Sequence, residues 1–371
     1  MATGHSRLNF RRAGIRPTPT ATHHMKFLDS LSFPWRSTAV GGLLLAVGFT
    51  HASFGADPPV LRAGMIGLDT SHVPAFTRIF NSLKATGDVA GIKVVVGYPG
   101  GTDMPASRDR VKGFTDQVRG MGVEIVETIP QLLAKVDVVL LESVDGRIHW
   151  QEAAPVIRAG KPLFIDKPAA GSLVDAVAIY ELAKKHNVPC FSSSSLRFAP
   201  GIQELLRDEK LGKIVGAVTW GPCSYQEGTP DMFFYGIHGI EPLYALMGTG
   251  CRTVTRIQTT DTDLISGVWG DGRVGTYRGI RRNKADFGAV AFGSKGIAQS
   301  GREGGYEGLC QEIGRFFKSR KAPVSPEETI ELFAFMEAAD QSKRNGGSPV
   351  SLAEVLAKAR LDAAKKIEQP Q

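Results

Sequence analysis

The sequence predicts an α/β domain built on a doubly wound parallel sheet, followed by an α+β domain with helices and a mostly antiparallel sheet. Three observations predict it. Between residues 60 and 194, short apolar runs alternate with helical stretches, the pattern of parallel strands covered by helices on both faces. Beyond Pro200 the runs shorten and are joined by Gly/Asp turns, among them the hairpin signal Asp271-Gly272. A chain of 371 residues is also long enough to bury two cores.

In the first domain, strands are expected over 60–68, 91–96, 123–127, 137–144, 162–165 and 188–192. Helices are expected over 74–84, 108–119, 129–136, 148–158 and 172–186. Thr70 or Ser71 stands where a cap belongs, and Pro74 falls in the first turn. Six such units imply the doubly wound, Rossmann-like dinucleotide-binding architecture over 57–195. Residues 196–371 then read as a second, mostly antiparallel domain with closing helices. There, helices are expected over 202–211 and 236–246, and strands over 214–224, 254–259, 264–269, 274–278, 288–292 and 297–299. Three closing helices follow at 308–319, 326–344 and 352–367.

The formal charge of +7 does not describe a nucleic-acid surface. Residues 1–56 hold six basic side chains (Arg7, Arg11, Arg12, Arg16, Lys26, Arg36) against Asp29, which leaves only a small surplus for the remainder. No basic stripe interleaved with aromatics stands out. The same segment reads as a leader. Lys26 and Arg36 precede an apolar run from Ala39 to Phe49, and Ser53, Gly55 and Ala56 follow. This is the order of a secretory signal with a core too short to span a bilayer. Met25 is the expected start, cleavage is expected near Ser53 to Ala56, and export to the periplasm follows. Cys190, Cys223, Cys251 and Cys310 are widely spaced without zinc-ligand patterning, so buried free thiols are expected and no metal ligand is assigned.

The first strand leads into Gly64-Met65-Ile66-Gly67-Leu68-Asp69-Thr70-Ser71-His72. A dinucleotide loop of the G-x-G-x-x-G type needs its glycines for the turn, for backbone approach to pyrophosphate and for helix packing. Gly67 takes the first place, while Asp69 and His72 stand in the second and third. The second strand lacks the terminal acid that binds ribose and runs on into Tyr98-Pro99-Gly100-Gly101. The helix start still offers free N–H groups to an anion.

Polar residues gather at three later places. Glu142, Ser143 and Asp145 end a strong apolar strand, and His149 opens the next helix. Asp166-Lys167-Pro168 ends another strand, so a cation stands at the carboxyl edge where such sheets place their chemistry. In Tyr235-Gly236-Ile237-His238-Gly239-Ile240-Glu241, His238 and Glu241 are three apart, which places them on one helix face.

These motifs, in this order, resemble the glucose–fructose oxidoreductase, inositol dehydrogenase and rhizopine-catabolism (Gfo/Idh/MocA) family over more than four-fifths of the chain. The resemblance implies that Lys167, matching the lysine of the family's Glu-Lys-Pro motif, contacts substrate and cofactor. It implies that His238 is the proton shuttle and that Glu241 is its partner or a substrate ligand. Tyr235 and Glu241 replace aspartates common in the family. Gly64, Gly67, Leu68, Asp69, Thr70, Ser143, His149, Asp166 and Lys167 become the expected cofactor-binding residues, with NAD or NADP as cofactor. The expected activity is hydride transfer from a sugar or polyol hydroxyl, in a homo-oligomer without a membrane span in the mature chain. The rival reading is a non-redox descendant that binds a sugar or holds a divalent metal. In it, Asp69, His72, Glu142, Asp145, His149, Lys167, His238 and Glu241 all face one cleft.

Overall fold

The computed structural model describes residues 60–301 and 304–369, so the expected leader lies outside the described residues. The first apolar run forms β1 (Leu61–Ile66), whose last four residues are buried. It is followed by α1 (His72–Phe80), β2 (Ile92–Tyr98), α2 (Pro105–Arg108), α3 (Val111–Gly120), β3 (Glu124–Ile125) and α4 (Ile129–Leu133). Then come β4 (Val138–Leu141), α5 (His149–Arg158), β5 (Leu163–Asp166), α6 (Leu173–Lys185) and β6 (Cys190–Ser193). All six strands pair in parallel in the order β3-β2-β1-β4-β5-β6. Every residue of β4 and β5 is buried, as helices on both faces require. The order reverses between β1 and β4, and the crevice beyond their carboxyl ends is where this architecture binds ligands.

The helix expected over 108–119 begins earlier and is broken into α2 and α3 around Asp109 and Arg110. Ser71 is the N-cap of α1, yet its side chain makes no capping bond. Its backbone is already helical, at φ −64° and ψ −16°, whereas a capping hydroxyl is aimed by an extended residue.

The second half continues with α7 (Pro200–Arg207), β7 (Ile214–Pro222), α8 (Ile237–Met247), β8 (Cys251–Gln258), β9 (Thr262–Trp269) and β10 (Val274–Ile280). It closes with β11 (Gly288–Gly293), β12 (Ile297–Gln299), α9 (Glu307–Ser319), α10 (Pro326–Arg344), β13 (Val350–Ser351) and α11 (Leu352–Glu368). The strands form a sheet in the order β12-β11-β7-β10-β9-β8-β13. Its pairings are antiparallel except for β7 with β10, which run parallel. The short β13 has no counterpart among the expected elements.

α8 and α10 cover one face of this sheet. Arg256, fully buried in β8, ties the layers together: it pairs with Asp263 of β9, Asp340 of α10 and Asp231 before α8. Helix α9 returns to the first sheet. Phe316 meets Phe191 of β6 edge to face, and Gln311 accepts from the Asp88 N–H. All four cysteines are free and buried, as expected. Among the described residues, no helix is long and apolar enough to cross a membrane.

Candidate active site

β1 runs into Gly67, with φ at +81°. A Cβ there would lie 2.0 Å from Ser143 Oγ, so the turn needs glycine for both its backbone angle and its close approach. Leu68 and Asp69 follow and are fully buried. Asp69 replaces a phosphate-facing glycine, but its carboxylate is spent on interior donors: Val144 N–H at 2.8 Å and Ser107 Oγ at 2.6 Å. Burial raises its pKa against the effect of those two bonds. Gly64 sits differently from the expectation. It lies within β1, where a Cβ would fall 2.5 Å from Leu132 Cδ2, so its smallness serves the packing of α4 on the sheet rather than a cofactor.

His72 opens α1, and its Nδ1 lies 2.7 Å from Asp166 Oδ2 at the end of β5. Lys167 Nζ stands 4.0 Å from the same oxygen. Burial opposes ionisation of Asp166, but His72 and Lys167 outweigh it and hold the carboxyl below its ordinary range. Glu142, at the end of β4, is raised well above the ordinary range by burial first and by Asp166 second.

His149 is fully buried, with Nε2 2.8 Å from the Ser143 carbonyl and Nδ1 3.3 Å from that of Ala169. It braces the loops after β4 and β5 instead of facing a ligand. Ser143 donates to Glu152 at 2.6 Å. Asp145 is taken by Arg147 and Thr102.

From the other sheet, a π-helical turn (Met232–Gly236) leads into α8 and places Tyr235 edge-on to His238, with centroids 5.0 Å apart. His238 Nδ1 lies 2.8 Å from Ser194 Oγ. Burial, then Lys167, push its pKa well below the ordinary imidazole value. Glu241 does not hold His238 as the helical spacing suggested. Its carboxylate accepts from Arg197 Nε at 2.7 Å and Ser193 Oγ at 3.3 Å. The segment after β6 lies beside α8 and offers a guanidinium, which wins the buried carboxylate.

A cleft of about 480 Å³ opens between these groups. Its lining includes Thr70, Ser71, His72, Arg110, Lys167, Tyr235, His238 and Tyr306. Of the sequence-named residues, Thr70, His72, Lys167 and His238 therefore meet at the cleft. Asp69, Glu142, Asp145, His149 and Glu241 lie in the wall behind it or are bound elsewhere. Sequence reasoning missed Ser194, Arg110 and Tyr306. Ser194 follows a strand end and carried a weak signal, whereas Arg110 and Tyr306 arrive only through tertiary packing.

A dinucleotide asks this site for a tight turn, open N–H groups and positive charge. Gly67 supplies the turn, Thr70 and Ser71 bring the start of α1 to the cleft, and Arg110 and Lys167 supply charge. Asp69, folded into the interior, leaves the approach open. The ribose acid has no equivalent, since β2 ends at Tyr98.

A doubly wound domain is joined to an open mixed sheet, and a lysine and a histidine line the cleft between them. No family model matches the chain, and no curated protein matches it. Solved structures do. Scyllo-inositol dehydrogenase from Lactobacillus casei, with NAD(H) and scyllo-inositol bound, is 15% identical with a TM-score of 0.64, over 79% of this chain and 99% of that one. Myo-inositol dehydrogenase from Lactobacillus casei, in complex with NAD(H) and myo-inositol, is 17% identical with a TM-score of 0.63, over 79% and 96%. GenD2 from gentamicin A biosynthesis, in complex with NAD, is 16% identical with a TM-score of 0.64, over 79% and 97%. The chain thus shares the fold of these two inositol dehydrogenases and of GenD2.

Proposed function

We propose that the protein is an NAD(P)-dependent oxidoreductase acting on a hydroxyl of a sugar or polyol. One observation carries the reading: Lys167, from the end of the first sheet, and His238, from α8, line one cleft. The structural neighbours crystallised with NAD(H) and an inositol support the same chemistry. The turn at Gly67, the start of α1, Arg110 and Lys167 would hold the cofactor. Nicotinamide, when bound, supplies the hydride acceptor.

The protein's own residues manage the proton and the charge. Base work needs His238 neutral, and its burial keeps it so at neutral pH. Nδ1 lies against Ser194 Oγ, and in the tautomer that donates Nδ1–H to it, Nε2 keeps the lone pair that takes the hydroxyl proton. The Lys167 ammonium lowers the cost of the developing alkoxide. Tyr235, Phe287 and Tyr306 wall the cleft with rings that limit water.

Calorimetric titration with NAD and NADP, followed by an absorbance assay on an inositol and hexose panel, tests the reading. Saturable binding of one cofactor, with reduction dependent on one polyol, is expected. Absence of binding at millimolar concentration of either cofactor would end it.

The leader-like order of charged, apolar and small residues before residue 57 supports export and a periplasmic site of action. Exposed Leu264, Val268 and Val274 on the uncovered face of the second sheet support a homo-oligomer that buries that face. Sedimentation of the purified chain, and localisation of a tagged full-length chain, test these two points.

A further inference from the structure

We infer that His72, Glu142 and Asp166 form a site for one divalent transition-metal ion of the Mn2+ or Zn2+ kind. The three come from the start of α1 and the ends of β4 and β5, around the point where the strand order reverses. One ligand atom from each can be chosen so that all lie within 4.8 Å of one another. All three are buried: 6% exposed for His72, 0% for Glu142 and 1% for Asp166.

A second observation points to a ligand independently. Neither carboxylate oxygen of Glu142 meets a hydrogen-bond donor, and Asp166 Oδ1 meets none either. A buried carboxylate without a donor is among the costliest arrangements a core can hold, and native interiors rarely keep one. Lys167 Nζ stands 4.0 Å from Asp166 Oδ2. It and His72 both serve that one oxygen, and Glu142 is left without a hydrogen-bond donor. A divalent cation meets this shortfall, taking an oxygen from each carboxylate.

The donor set selects the ion. One imidazole with two carboxylates is of intermediate softness and suits Mn2+ or Zn2+. Mg2+ and Ca2+ favour sites made only of oxygen. No thiol is among the donors. Binding replaces the His72–Asp166 hydrogen bond, the ring proton moving to Nε2 as Nδ1 turns its lone pair to the ion. His72 also lines the cleft, which provides a path of entry.

The site does not depend on the hydride-transfer reading. To test it, the full chain is stripped with a chelator, then titrated with Mn2+ and with Zn2+ by calorimetry, with elemental analysis for stoichiometry. One ion per chain is expected, and affinity should fall at least about 100-fold in Glu142→Gln and in Asp166→Asn, exceeding the usual effect of losing an outer-shell partner. Should those variants fail to fold, the Mn2+ paramagnetic resonance of the unaltered chain decides: coupling to a single imidazole nitrogen is expected. Failure of both ions to bind stoichiometrically, an affinity unchanged in a folded Glu142→Gln chain, or a spectrum without nitrogen coupling overturns the site. NAD binding by the stripped chain is measured separately, so failure of the metal site and failure of the dehydrogenase reading are told apart.

Discussion

Ser194 Oγ lies 2.8 Å from His238 Nδ1. The serine follows β6 of the parallel sheet and the histidine stands on α8 of the other layer, so one hydrogen bond joins the two halves at the cleft. In the tautomer that donates Nδ1–H to the serine, Nε2 is left free to act as a base.

Removing that bond should separate orientation from binding. Ser194→Ala is expected to lower kcat about 10–100-fold with KM little changed, because ring orientation matters in the transition state. Ser194→Thr should restore most of the rate. An unaltered kcat in Ser194→Ala would show that His238 needs no such support.

Lys167 and His238 should fail differently. Lys167→Met is expected to cost about 10²–10³ in kcat through lost charge stabilisation, and Lys167→Arg should recover part of it. His238→Asn should cost about 10²–10⁴ and remove the pH dependence described next. Steady-state kinetics on the polyol that responds best decides whether either residue is dispensable.

The pH profile follows from the direction of the His238 shift. Burial lowers its pKa well below the ordinary imidazole value, and the unprotonated ring is the active form. Activity should therefore rise with pH along a limb whose midpoint lies below about 6.5, then stay flat through neutrality. A midpoint of kcat/KM above neutrality would contradict the assignment.

Glu152 links the site wall to stability. Burial lifts its carboxyl to about 8, against the Ser143 bond, with Asp69 and Asp145 adding to the rise. The folded chain thus holds a proton that the unfolded chain loses near pH 4.5. Stability should fall as pH rises from the unfolded value through the folded one, with the full penalty above about 8. Glu152→Gln removes that penalty. Urea melts should show the variant gaining relative to the unaltered chain at alkaline pH, and no relative gain below pH 4.5.

Arg256 is the structural counterpart. It is fully buried with Asp263, itself fully buried, and also pairs with Asp231 and Asp340. Arg256→Met should destabilise by about 3–5 kcal/mol, since it strands carboxylates in the core. Exchanging Asp263→Asn in the same chain should return part of that loss, and a double-mutant cycle by denaturant melts measures the coupling.

Much of the frame was legible in the residues. Apolar runs located the strands of the parallel sheet most sharply at β4 and β5, where burial on both faces leaves an unbroken apolar signature, and least at the short, partly exposed β3. The α10 bounds agree with the expected 326–344, since Ser325 and Pro326 start it and Asn345-Gly346-Gly347 ends it. Of the pairings, the Asp271-Gly272 turn marked that of β9 with β10, and the order of the sheet left no such mark. That β7 runs parallel to β10 inside an antiparallel sheet is a long-range choice with no local signal.

The sequence by itself determined which groups could do chemistry and on which strand ends and helix starts they would stand: Gly67 in the first turn, Lys167 after β5, His238 on α8. Local periodicity and turn chemistry suffice for that. Only the tertiary structure decided what each group meets. It turned Asp69 inward to Val144, gave Glu241 to Arg197 and His238 to Ser194, and gathered Glu142 and Asp166 around His72 at the cleft. The reason is physical: a buried charge or hydrogen-bonding group takes the best partner that packing brings within about 3 Å, and in this fold those partners lie tens of residues away along the chain.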